Sequence, residues 1–205
     1  MALHMALVLL SLLLLLEAQN PELANITIGD PINNETLSWL SDKWFLIGVA
    51  SRNPEVQQSI QEKMTVFLHL TLNLIKDTVE IQEYHTLDDQ CEYYSNHLGF
   101  QKENGALSLY GGKSFAHLIV LRKHGALILT FNLKDEKKRV LTLWAKKQDI
   151  SLELREVFQK AVTHVGMDES EIIFVDWKKD RCGQQEKQQL ELEKETKKDP
   201  EEGQA

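Results

Sequence analysis

From Lys43 onward the chain alternates. Met64, Val66, Leu68, Leu70 and Leu72 are apolar, while Thr65, His69 and Thr71 between them are polar. Val79 and Ile81 alternate with Thr78, Glu80 and Gln82, and Leu127, Leu129, Phe131 and Leu133 recur at every second position. A period of two sends successive side chains to opposite faces of an extended chain, so these runs read as strands with one buried face. Turn residues separate them at intervals of about ten: Lys76-Asp77, Asp88-Asp89, Asn104-Gly105, Gly111-Gly112, His124-Gly125 and the run from Lys134 to Lys137. Eight consecutive strands are expected, near 43–52, 64–73, 78–86, 91–101, 105–110, 114–123, 126–133 and 139–147. Short hairpins joining so many strands leave two architectures, an up-and-down barrel or a sandwich.

One segment departs from that period. In "QDISLELREVFQKAVTHVG", Leu154, Val157, Phe158, Ala161, Val162 and Val165 recur at helical spacing. Ser151 can cap this helix, Glu153 suits the positive end of its dipole, and Gly166 can end it. A single amphipathic helix after eight strands must lay its stripe on the outside of the sheet. A short last strand is expected in "EIIFVDW". Beyond Gly183 the chain is nearly all Glu, Gln and Lys, which reads as a solvated, partly disordered tail.

The first eighteen residues carry an apolar run from Ala6 to Leu16, then Glu17 and Ala18. About a dozen apolar residues are too few to span a bilayer and suit a signal peptide. Cleavage after Ala18 would leave Gln19 first, where it can cyclise to pyroglutamate. The expected organisation is thus a signal peptide at 1–18, one β-domain with its helix and last strand at 19–182, and a charged tail at 183–205. The chain carries 31 acidic and 23 basic residues, and losing Glu17 leaves a formal charge of about −7. That balance offers no basic patch for nucleic acid. Cys91 and Cys182, in an oxidising compartment, most simply pair with each other. Sequons at Asn25 and Asn34 lie in a segment broken by Pro21, Gly29 and Pro31, and both are expected to carry glycans.

Catalytic patterns are missing. "YGGKS" at 110–114 has Leu107 where a phosphate-binding loop needs glycine, and a strand follows it. The histidines stand singly, without metal-binding spacing. No G-x-S-x-G occurs. Glu83 and His85, two apart, share a face but have no nucleophile beside them, so they read as polar fixtures of a wall. No enzyme activity, metal or cofactor is expected.

The opening of the first strand, "SDKWF", has a tryptophan at its entrance. An exported eight-strand protein with that Trp44, one late helix and one long-range disulfide resembles the lipocalins. The likeness narrows in "NETLSWLSDKWF", "EYHTLDDQC", "FAHLIVLR", "DEKKRVLTLWA" and the long run from Glu153 to Cys182, and again in the tail. Over nearly the whole chain these resemble the alpha-1-acid glycoprotein (orosomucoid) family, particularly its rodent forms. Departures are present. Asp42 stands where lipocalins usually have Gly before the Trp. Lys76, Tyr94 and Ala106 each remove a sequon that relatives carry, and the cysteines of a second disulfide are absent.

The resemblance implies an all-β, eight-stranded antiparallel up-and-down barrel with the helix outside. It implies that Trp44 closes the narrow end, with Lys146 packed across it where relatives usually have Arg. It also implies that Cys91–Cys182 is the family's retained bridge. The inward positions expected to line a ligand cavity are Leu46, Leu68, Leu70, Ile81, Glu83, His85, Leu98, Leu107, Leu109, Ala116, Leu127, Leu129, Phe131, Thr142 and Trp144. Leu109 replaces a basic residue of some relatives, so the wall keeps the acid Glu83 and loses a base. The implied function is a secreted, monomeric plasma carrier, acute-phase and immunomodulatory, without a membrane span. Its ligands would be neutral or basic lipophiles: drugs, steroids or lipids. The alternative is a glycoprotein acting through surface contacts with immune receptors, its cavity incidental.

Overall fold

Asp88 and Asp89 both adopt positive φ, 50° and 64°. That geometry makes a two-residue hairpin turn whose twist matches its strands. It joins β3 (Thr78–Leu87) to β4 (Gln90–Gln101) with Leu87 opposite Gln90. The same up-and-down logic runs through β1 (Lys43–Ser51), β2 (Thr65–Asn73), β5 (Ala106–Leu109), β6 (Ser114–Leu121), β7 (Ala126–Phe131) and β8 (Val140–Ala145). Each strand pairs antiparallel with the next, and β1 pairs with both β8 and β2, which closes the barrel. The computed structural model describes residues 30–73, 75–101, 105–109, 114–131, 135 and 137–196. The expected signal peptide, Gln19, Asn25, and turn residues Asn104, Gly111, Gly112 and Lys134 lie outside them.

β1 changes partner along its length. Residues Lys43–Phe45 pair with β2, while Gly48–Ala50 pair with β9 (Ile172–Phe174) across a register shift. Gly48 is required there, because a Cβ would lie 3.1 Å from the Phe174 ring. The outward face of β1, β7 and β8 is covered by α3 (Leu152–His164). Its Leu154, Phe158, Ala161 and Val162 share one buried cluster with Ile47, Ile128 and Leu143. Ser151 caps it by accepting from the Leu154 N–H at 3.2 Å.

Three helices were not anticipated. The first, α1 (Asn34–Leu40), is capped by Asn33 and buries Leu37 and Leu40. The second, α2 (Pro54–Lys63), joins β1 to β2 and buries only Val56 and Ile60. Two apolar side chains in ten residues leave too faint a stripe to read, though Asn53-Pro54 is an N-cap followed by the proline favoured at a first helical position. The third corrects the expectation of a disordered tail: Gly183–Thr196 forms α4. Gln, Glu, Lys and Leu are sound helix formers, and Cys182 fixes where the helix begins. The disulfide Cys91–Cys182 spans 91 residues and joins a small outer core of Phe67 and Tyr84.

Candidate ligand cavity

Trp44 follows the turn out of α1, and its ring is wholly buried. Its indole N–H donates to the Leu40 carbonyl at 2.9 Å. Trp39 meets it edge-on, centroids 5.0 Å apart. The Lys146 ammonium lies 4.6 Å from the Trp39 ring centre and 5.3 Å from that of Trp44. It donates to the Trp39 carbonyl at 3.2 Å and to Asp42 at 2.6 Å. Burial works against the Asp42 charge, but the Lys146 hydrogen bond, the Lys43 N–H and the Lys146 charge outweigh it and hold this carboxyl below its ordinary range. The closed end is thus a stack of two indoles clasped by one ammonium, which stands where the sequence placed it.

Above this floor lies a void. Leu40 and Trp44 form its base, with Leu68, Leu70, Leu72, Val79 and Ile81 from β2 and β3. Phe100, Leu107, Leu118, Leu127, Leu129 and Trp144 complete the wall. Every lining side chain is apolar. The non-atom space is about 470 Å³ including its opening, of which about 40 Å³ holds the centre of a water-sized sphere. Apolar walls of this extent are typical of small-molecule sites. A bulky guest therefore needs side chains to rotate, while a slender one fits as the wall stands.

Seven of the positions expected inside border this void: Leu68, Leu70, Ile81, Leu107, Leu127, Leu129 and Trp144. Leu46, Leu98 and Ala116 are buried in the same core, and Phe131 packs against it, but none of them borders the void. Thr142 accepts the Trp144 indole N–H at 2.8 Å, which holds that ring against the wall. The side chain of Leu109 lies outside the described set. Leu40, Trp44, Leu72, Val79, Phe100 and Leu118 border the void without having been counted in its wall. Four of these continue the same alternation by two residues, from Leu70 to Leu72, Ile81 to Val79, Leu98 to Phe100 and Ala116 to Leu118. Leu40 comes from the helix that the sequence pattern hid.

Glu83 and His85 sit on the same inward row as Ile81, further from Trp44, and do not border the void. His85 is 7 % exposed, and its Nε2 lies 2.7 Å from Glu83 Oε2. Across the sheet Glu83 faces Tyr94 and His85 faces Glu92. The Tyr94 hydroxyl donates to Glu92, and the His85 ring meets Tyr94 edge-on at 5.2 Å. Burial, the Glu92 hydrogen bond and the charges of Glu92 and Glu83 push the Tyr94 hydroxyl up to about 12, so it remains a donor. Glu92 and Tyr94 were missed. Counting back by twos from Leu98 along β4 reaches both.

Among the described residues no group of His, Cys, Asp and Glu could hold a metal ion, and no helix is long and apolar enough to cross a membrane. Asn34 is exposed at the start of α1, and Thr36 of its sequon is buried.

A model of the lipocalin / cytosolic fatty-acid binding protein family matches residues 41–179. Alpha-1-acid glycoprotein 2 of Mus musculus is 74 % identical over 207 residues, covering 100 % of both chains. Alpha-1-acid glycoprotein of Rattus norvegicus is 63 % identical over 196 residues, covering 95 % of each. Among solved structures, a siderocalin, Ex-FABP, described as functioning through dual ligand specificities, superposes with a TM-score of 0.52 at 10 % identity. That match covers 67 % of this chain and 89 % of the other, and it bears on the fold alone.

Proposed function

Because this chain belongs to the lipocalin family, and within it to the alpha-1-acid glycoproteins, we propose that it is a secreted plasma carrier of neutral or basic lipophilic molecules. Drugs, steroids or lipids would be bound by burial, without covalent chemistry. The observation that carries this reading is the wholly apolar void between the Trp44 floor and Trp144, with Glu83 on the next inward position after Ile81. Two residues of strand span roughly 7 Å. An amphiphile with its rings against Trp144 and its ammonium at Glu83 therefore matches both regions at once. Aromatic stacking on Trp144 adds on the order of 0.5–1.5 kcal/mol beyond area burial.

The reading includes removal of residues 1–18, pyroglutamate at Gln19, glycans on Asn25 and Asn34, and a monomer in plasma. Acute-phase induction and action on immune cells belong to it through the family. Native mass spectrometry of plasma-purified protein tests the carrier claim. One small lipophilic molecule should remain bound per chain, and a lipophilic fluorophore should displace it. Leu129→Trp, which fills the void, should abolish binding while the near-ultraviolet circular dichroism stays that of a folded protein. A folded wild-type protein that holds no ligand and takes up no lipophile would overturn the proposal.

A further inference from the structure

Glu83 and Glu92 are two carboxylates diagonal to each other on the inner face of β3 and β4. Their recorded partners are a histidine and a tyrosine, His85 and Tyr94, and no Lys or Arg pairs with either among the described residues. A second, independent feature lies between them. His85 is more than nine-tenths buried, and its Nδ1 has no hydrogen-bond partner. With an ionised carboxylate 2.7 Å from Nε2, the ring proton sits on Nε2 and donates to Glu83. Nδ1 is then a bare lone pair. A buried acceptor without a donor is costly and uncommon.

We propose that this cluster selects a cationic head that carries an N–H, and that His85 expels it on acidification. The proposal rests on the carrier reading above and names the ligand class of that same site. The head group's charge is met by Glu83 and Glu92, and its N–H is accepted by His85 Nδ1. A protonated amine satisfies all three groups. A quaternary ammonium of the same shape meets the charges but leaves Nδ1 without a donor. A neutral lipophile meets neither demand and relies on the apolar void alone.

Acid reverses the arrangement. When His85 takes a second proton its lone pair is gone, and the imidazolium neutralises Glu83 where the ligand's ammonium would lie. Histidine is the side chain whose ordinary titration falls between pH 5 and 8. The groups facing it are Glu83 on its own strand and Glu92 and Tyr94 on β4. On the β2 side its partner is Val66, which does not titrate. On α2, Glu55 is exposed, and the side chains of Glu62 and Lys63 are outside the described set. The amine itself stays protonated throughout this window, so the loss of binding is the protein's own.

Three probes sharing one apolar tail test this on the full-length secreted protein: a tertiary amine, its N-methyl quaternary analogue, and the neutral carbon isostere. Isothermal titration between pH 7.5 and 5.0 should show the amine preferred over the quaternary analogue by roughly tenfold at pH 7.5, the worth of one hydrogen bond to a charged group. The preference should collapse by pH 5.0, while the neutral isostere binds equally across the range. In His85→Gln the pH dependence of amine binding should flatten. Glu92→Gln should weaken both cations without changing the pH at which the amine is released. If the neutral isostere fails to bind wild-type protein, the carrier reading itself falls. If it binds, but amine and quaternary ammonium bind alike and independently of pH, this inference alone is wrong.

Discussion

Trp144 is the side chain through which binding becomes visible. It borders the void, is held by Thr142, and sits opposite Leu46 and Leu127. Trp39 lies in the closed end outside the void, and Trp177 hydrogen-bonds the Leu46 carbonyl from the outer wall. A lipophile should therefore change the emission of Trp144 most. Trp44 also borders the void and contributes the remainder. In Trp144→Phe more than half of the ligand-induced fluorescence change should vanish, with affinity reduced only a few-fold. An undiminished signal would place the ligand elsewhere. Asp42 makes a second prediction. Its folded pKa is depressed, so the carboxylate stabilises the fold above its unfolded value of about 3.9. That contribution disappears as pH falls through the lower folded value. Thermal melts of wild type and Asp42→Asn should differ at pH 6 and converge in strong acid. A constant gap would show that the Lys146 clasp does not act through charge.

The helices depend on single contacts to different degrees. α3 has a buried stripe and a cap, and Ser151→Ala should cost about 1 kcal/mol, read as a shifted urea midpoint. α4 is different. Its first turn is held by Glu186, whose carboxylate accepts from Lys43 at 2.6 Å and pairs with His69 at 2.8 Å. Lys43 also stands 3.8 Å from the Phe67 ring centre. The Glu186 side chain is only 13 % exposed, so this is not a free surface pair. Glu186→Gln should raise amide exchange in α4 well above wild type while leaving β1 and β2 protected. Equal protection in both proteins would mean that the helix docks by other contacts. A composition of Glu, Gln and Lys predicted solvation and not this helix, because the anchor lies 143 residues away in the sequence.

The disulfide ties the last segment to the barrel over a long loop. Cys182 is wholly buried beside Phe67 and Tyr84, and Thr86 donates to its sulfur at 3.6 Å. A closed loop of 91 residues is worth roughly 4–5 kcal/mol in the chain-entropy model. The paired Cys91→Ser, Cys182→Ser protein should therefore melt roughly 10 °C lower, as expected for a chain of this size. Calorimetry showing no shift would mean that the unfolded chain gains no entropy from losing the bridge. The barrel core is expected to survive, since Trp44, Leu68 and Trp144 belong to a separate cluster.

What was legible in the residues followed from local periodicity. Alternation by two located all eight barrel strands to within two or three residues at each end, and helical spacing located α3, because each pattern reports one face turned toward a core. Closure was not local. Turn spacing allowed a barrel or a sandwich, and the joining of β1 to both β2 and β8 involves strands far apart in sequence. The resemblance, not the periodicity, pointed to the barrel. Parity placed Glu83 and His85 inside but could not say how far along the axis the void reaches. The packing of Leu40 and Trp44 beneath it and the position of Ile81 settled that. Nor could parity pair His85 with Glu83 or leave Nδ1 without a donor. Those depend on rotamers chosen by neighbours on β4, and a one-dimensional pattern does not specify the neighbours that fill the space around a side chain.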